Sequence, residues 1–247
     1  MRLDNESREL IETFWERAGQ KEPFPRTLER SIALALPIAI VKLPRLDLRL
    51  IEDWLIRRGV NFKFDVENRW VRGCLVAYGG KGMIFVDGTD PFPEQRFTIA
   101  HEVAHFLIDY WQPRNRSAQK YSPAILEVFD GLRSPTLDER IHAVLQGFPL
   151  GTFTKLIDRS GQGEIEATWS AENRADVIAL TLLAPADEVM SMISASGKTY
   201  VERKLEAVEI LTDKLGLPHS VANFYASEIL KSIGKGPSWA ESLRIVG

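Results

Sequence analysis

The residues of this chain best suited to chemistry form one short run, His101-Glu102-Val103-Ala104-His105. Residues four apart lie on one face of an α-helix, so two imidazoles at this spacing can reach a single ion. Zinc accepts neutral nitrogen ligands in a tetrahedral shell, and a catalytic site keeps one position for water. The ion lowers the pKa of that water toward neutrality, and a neighbouring carboxylate takes the proton as the water attacks a carbonyl. His101 and His105 are therefore candidate metal ligands, and Glu102 is the candidate general base. The run holds two of the four histidines of the chain.

A catalytic zinc site needs a third protein ligand. With one cysteine, Cys74, the chain has neither an intrachain disulfide nor a cysteine-rich metal site. The third donor is then a histidine or a carboxylate, and Glu172 is the best placed. It opens a segment, Glu172-Asn-Arg-Ala-Asp-Val-Ile-Ala-Leu-Thr-Leu-Leu, that reads as a helix. Asp176 lies one turn on, on the same face. One of the two can ligate while the other accepts a hydrogen bond from a ligand imidazole and fixes its tautomer. Glu172 is assigned the ligand role and Asp176 the supporting one. The plainer role for Glu172 is an acid that favours the helix N-terminus. His142, behind a capping box, reads as a solvated helix histidine, and His219, after Pro218, as part of a helix start. Cys74 reads as a buried structural thiol.

The elements that must position these residues follow from pattern. Residues 5–19 read as an amphipathic helix, 25–40 as a helix broken at Pro37, and 46–59 as a helix closed by Gly59. Val60 to Asp65 alternates like a strand. Gly73 to Tyr78 and Met83 to Asp87 are two more, joined by the turn Gly79-Gly80-Lys81-Gly82. Gln95 to Tyr110 reads as the helix of the histidine pair. Thr136-Leu-Asp-Glu139 is a capping box, and 152–158 with 164–169 suggests a second hairpin. Ser170 reads as the N-cap of a helix reaching Leu183, and two helices follow at 200–215 and 219–232.

Two stretches resemble the ImmA/IrrE family of metallopeptidases. One is Gln95-Arg-Phe-Thr-Ile-Ala-His-Glu-Val-Ala-His-Phe-Leu-Ile; the other is Glu172-x-x-Ala175-Asp176-x-x-Ala179-x-x-Leu182-Leu183-x-Pro185. Gly73-Cys-Leu and the Met83-Ile-Phe-Val strand stand upstream in the family's order, so the resemblance covers about 45–110 and 170–230. It implies an α+β, zincin-like metallopeptidase domain with a small β-sheet, an HExxH helix and a C-terminal helical, helix-turn-helix-like subdomain. It also implies a zinc site of His101, His105 and Glu172 with Glu102 as catalytic acid. Manganese or iron can occupy a His2Glu site as well. The implied substrate is a helix-turn-helix transcriptional repressor, in phage or mobile-element induction or in a stress response. The expected organisation is a helical lead-in over 1–44, a peptidase core over 45–199 with 111–170 as an insertion, and a helical subdomain over 200–247. The lead-in is too short for a DNA-binding domain ahead of the core, which makes the repressor a separate protein.

The sequence departs from the family pattern at Ala104, in place of glycine, and at Ala184, in place of methionine. The long 111–170 stretch keeps a second reading open, a metal-binding module that captures a repressor with little proteolysis. Ile210 to Ala226 resembles a helix-turn-helix, but Glu206, Glu209, Asp213 and Glu228 offset Lys204, Lys214 and Lys231. A phosphate-binding surface needs surplus positive charge, and the net charge of the chain is −3. Direct DNA binding is therefore not expected. Met1 to Ser7 has no apolar signal core, and the most apolar run, Ile32 to Leu43, is too short to span a bilayer and reads as a buried helix or helix-turn. The expected setting is cytoplasmic.

Overall fold

The computed structural model describes residues 3–120, 124–130, 132–140, 152–158, 174–193, 199–234 and 236. Asp4 starts α1 (Asn5–Ala18) by accepting from the Ser7 N–H at 2.6 Å, and Gly19, at φ 81°, ends it. Helix α2 (Glu29–Ala35) is shorter than the pattern suggested. The carboxylate of Glu22 receives the N–H groups of Thr27, Leu28 and Ser31 and shapes its entry.

The apolar run beyond Pro37 is a strand, β1 (Ile38–Leu43), and not the second half of a helix. Proline breaks the helical ladder, and the β-branched residues that follow suit an extended backbone. Helix α3 (Leu48–Ile56) is capped by Asp47. Residues 60–65, expected as a strand, take no strand pairing; Phe62 and Phe64 pack edge to face instead and cover the smaller apolar cluster. Strands β2 (Val71–Tyr78) and β3 (Lys81–Asp87) form the expected hairpin, with Gly79 and Gly80 both at positive φ.

Among the described residues the sheet order is β1-β3-β2-β4, where β4 is Phe153–Asp158. β1 runs parallel to β3; the other two pairings are antiparallel. The stretch expected as an insertion thus supplies a strand of the sheet. Its β4 pairs with β2, and the 164–169 strand expected beside it lies outside the described residues.

The sheet sorts its side chains strictly by face. Leu75, Ala77, Ile84 and Val86 join the main apolar core, while Cys74, Val76 and Phe85 join the smaller cluster under α3. On the main face lies α4 (Phe92–His105), which continues through a π-helical segment (Phe106–Trp111) into α5 (Gln112–Lys120). A short α6 (Ile125–Phe129) is tied to α5 by a forked ion pair between Arg114 and Asp130, at 2.8 and 3.0 Å.

Helix α7 (Arg174–Leu183) packs along α4. Ala100 and Ala104 on α4, and Ala175 and Ala179 on α7, are all fully buried, and side chains this small let helix axes approach closely. After α8 (Ala186–Met192), the chain ends its described part with α9 (Tyr200–Glu209), a π-helical turn (Ile210–Lys214) and α10 (His219–Ser232). These last elements are fastened to α4 by Arg96. Its buried guanidinium donates to the carbonyls of Arg26 (2.6 Å), Gly216 (2.8 Å) and Leu215 (3.1 Å). No helix among the described residues is long and apolar enough to cross a membrane.

Candidate metal centre

His101 and His105 stand on the last turn of α4, between the sheet and α7. Their rings meet edge to face, with centroids 4.6 Å apart, and their Nε2 atoms face each other at 3.0 Å. Two nitrogens each about 2.0–2.1 Å from one tetrahedral ion would stand roughly 3.3 Å apart. The pair is thus close to the separation that a shared cation imposes.

Each Nδ1 is met by a carboxylate. Asp176 Oδ1 lies 2.7 Å from Nδ1 of His101, and Asp109 Oδ2 lies 2.6 Å from Nδ1 of His105. An ionised carboxylate only accepts, so each Nδ1 carries the donated hydrogen, and in a neutral ring Nε2 then keeps its lone pair. Two lone pairs aimed at one another are stable only with a proton or a cation between them. Burial favours the neutral form of His105 and pushes its pKa down; Asp109 opposes the shift, and His101 and Lys155 add to it. Neutral imidazole is the form that binds metal.

Glu102, between the histidines, is completely buried, and neither of its carboxylate oxygens has a hydrogen-bond partner among the described residues. Burial pushes its pKa well above the usual carboxylate range, while the charge of Lys155 pulls the other way. Space for it comes from Gly73 on β2. A methyl group there would lie 3.2 Å from Glu102 Oε1 and 2.5 Å from Thr98 Cγ2. The β2 register shifts between Val71 and Gly73, at the bulge that sets Arg72 within 3.2 Å of Glu94.

Lys155 enters through strand register. It pairs with Leu75, which faces the main core, so both project from the face that α4 covers. Two residues on, Ile157 Cδ1 lies 3.5 Å from the place a Gly73 methyl would take.

Of the residues singled out in the sequence, the structure brings together His101, Glu102, His105 and Asp176. Glu172 and His142 lie outside the described residues; Glu172 is two positions ahead of Arg174, the first residue of α7. Among the described residues no three His, Cys, Asp or Glu side chains converge as a complete metal shell. His219 is exposed at the start of α10. Cys74 is buried on the opposite sheet face, where desolvation and then the charge of Glu102 hold its thiol protonated. Sequence reasoning passed over Asp109 and Lys155. The spacing His105-x-x-x-Asp109 was a legible signal; Lys155 had none, since cross-strand register places it.

The donor set fits a divalent ion that takes imidazole nitrogen. Two ring nitrogens converge, a carboxylate holds the far side of each ring, and a third carboxylate stands buried, with no hydrogen-bond partner among the described residues. Residues 60–125, which include the histidine pair, match the family model described as the IrrE N-terminal-like domain, a peptidase family. Comparisons with curated proteins and with solved structures return no match. The match over residues 60–125 supports the ImmA/IrrE family that the two sequence stretches resemble.

Proposed function

We propose that this protein is a zinc-dependent endopeptidase whose substrate is a separate helix-turn-helix repressor, and that it works in the cytoplasm. His101, His105 and Glu172 would hold the ion, with manganese or iron as possible occupants of the same donors. The observation that carries the reading is the facing Nε2 pair at 3.0 Å beside a fully buried carboxylate that has no hydrogen-bond partner among the described residues. A protein that only binds has no use for so costly a group. In this reading the α+β core is zincin-like, α4 is its HExxH helix, and α9 and α10 form a helix-turn-helix-like pair packed on the core.

When bound, the ion supplies Lewis acidity and brings the pKa of a water toward neutrality. Glu102 handles the proton. Its carboxylate accepts one hydrogen as water adds to the peptide carbonyl, and returns it to the amide nitrogen as the carbon–nitrogen bond breaks. A pKa raised by burial brings the group nearer the working pH, where proton transfer in both directions is efficient. Asp176 and Asp109 keep the imidazole protons on Nδ1 throughout. Lys155, on the same side of the sheet, offers a positive charge to the oxygen on which negative charge develops.

The test is incubation with candidate helix-turn-helix repressors, wild type against Glu102→Gln, with and without a chelator. The expected result is cleavage by wild type that both the substitution and the chelator abolish. Cleavage that survives Glu102→Gln would overturn the assignment of the base. Repressor binding without cleavage by the metal-loaded protein would favour capture over hydrolysis.

A further inference from the structure

The two histidines are supported in different ways. Asp176, which holds His101, comes from a separate helix and is itself buried. His105 is held by Asp109, one turn along its own helix and 37 % exposed at its side chain, against 7 % for the imidazole. A surface Asp–His pair at this spacing is commonplace and contributes little. Here, however, the imidazole is buried, and Asp109 is the partner of its Nδ1.

The backbone around Asp109 is unusual. The helix widens to π geometry immediately after His105, and the Gln112 N–H closes a five-residue turn onto the Leu107 carbonyl. That turn is pinned beside Asp109. The Tyr110 hydroxyl accepts from the Gly80 N–H at 2.8 Å, and Trp111 stacks on Phe106 with ring planes 27° apart. The hairpin turn thus fixes the segment from which the carboxylate reaches back to His105. π-Turns of this kind recur at functional sites, where they re-aim a side chain.

We propose that Asp109 is a positioning residue for the metal centre, locking the proton of His105 on Nδ1 and aiming Nε2 at the point that His101 Nε2 faces. This rests on the reading of His101 and His105 as ligands. With both outer nitrogens bound to carboxylates, the pair presents two acceptors and no donor, which suits a cation. Without Asp109, the His105 ring is free to carry its proton on Nε2, inside the site.

Two measurements on the full chain test it. In the metal-free protein, 15N–1H spectra of the imidazoles report the tautomer. His105 is expected as the Nδ1–H form in wild type and Asp109→Asn, whose amide oxygen still accepts, and to redistribute toward Nε2–H in Asp109→Ala. An unchanged tautomer in Asp109→Ala overturns the proposal. Zinc affinity by competition with a chromophoric chelator, and the visible spectrum of the cobalt-loaded protein, form the second readout. Asp109→Ala should bind about 10–100-fold more weakly, with a shifted cobalt band, and Asp109→Asn should fall between. Equal affinity in Asp109→Ala and wild type overturns the proposal. Failure of wild type to bind zinc or cobalt, with the tautomer effect intact, would instead refute the metal reading and leave the Asp109–His105 coupling standing.

Discussion

Asp176 reaches His101 across 75 residues of chain, its Oδ1 lying 2.7 Å from Nδ1 of the imidazole. The contact makes the histidine pair dependent on how α7 docks against α4. Replacement by alanine frees the ring and leaves its Nδ1–H without an acceptor. Asp176→Ala should weaken zinc binding by about 10–100-fold. It should also destabilise the metal-free fold by about 1.5–3 kcal/mol, the usual worth of a hydrogen bond to a charged group. Chelator competition and chemical denaturation measure the two. Wild-type affinity in this variant would remove Asp176 from the centre.

Glu102 makes the metal-free protein less stable than it could be. Unfolded, a glutamate loses its proton near pH 4.3; folded, burial keeps the proton on to a higher pH. The folded state therefore binds more protons over that interval, and its stability falls as pH rises through it. Glu102→Gln removes the charge and the loss. In chelator-treated protein the variant should melt higher than wild type at pH 8, and the gap should shrink toward pH 4.5. A gap that is constant or reversed would contradict the buried, uncompensated carboxylate.

Gly73 is the only residue type that leaves room for Glu102 as it stands. The methyl group of alanine would meet Thr98 Cγ2 at 2.5 Å and Glu102 Oε1 at 3.2 Å. Overpacking of this kind costs about 1–3 kcal/mol. Gly73→Ala should lose that much stability in urea and, under the proposed function, most of the peptidase activity as well, because relief of the clash displaces the carboxylate. Retention of both would mean that α4 can shift freely against β2.

Arg96 anchors α4, the helix of the histidine pair, to the last elements of the described chain. Arg96→Met keeps bulk but withdraws the donor from three carbonyls, on Arg26, Leu215 and Gly216. At about 1 kcal/mol for each carbonyl left without a donor, the low end of the range, the loss is roughly 3 kcal/mol. Urea denaturation measures it, and a loss below about 1 kcal/mol would show that water replaces the guanidinium.

What could be read without a structure was mostly local. The capping box of Thr136 and Glu139 forms as read, each side chain accepting from the other residue's N–H. The diglycine turn and the break at Pro37 follow from backbone sterics. The alternation of Val60 to Asp65 misled for the converse reason: the pattern suits a strand, but a strand needs a partner, and the aromatic pair there found packing instead. Residues 38–43 were harder still, since a short apolar run serves equally as buried helix or buried strand, and only pairing with β3 decides.

The same division runs through the site. α-Helical periodicity already sets His101 and His105 on one face of one helix, with Glu102 beside the first. Sequence by itself determined that much. Tertiary structure alone decided which of the two imidazoles Asp176, already assigned a supporting role, would meet, that Gly73 would make room for Glu102, and that β4 would turn Lys155 toward them both. These contacts join residues tens of positions apart, and packing summed over the whole core selects them, which no local spacing encodes.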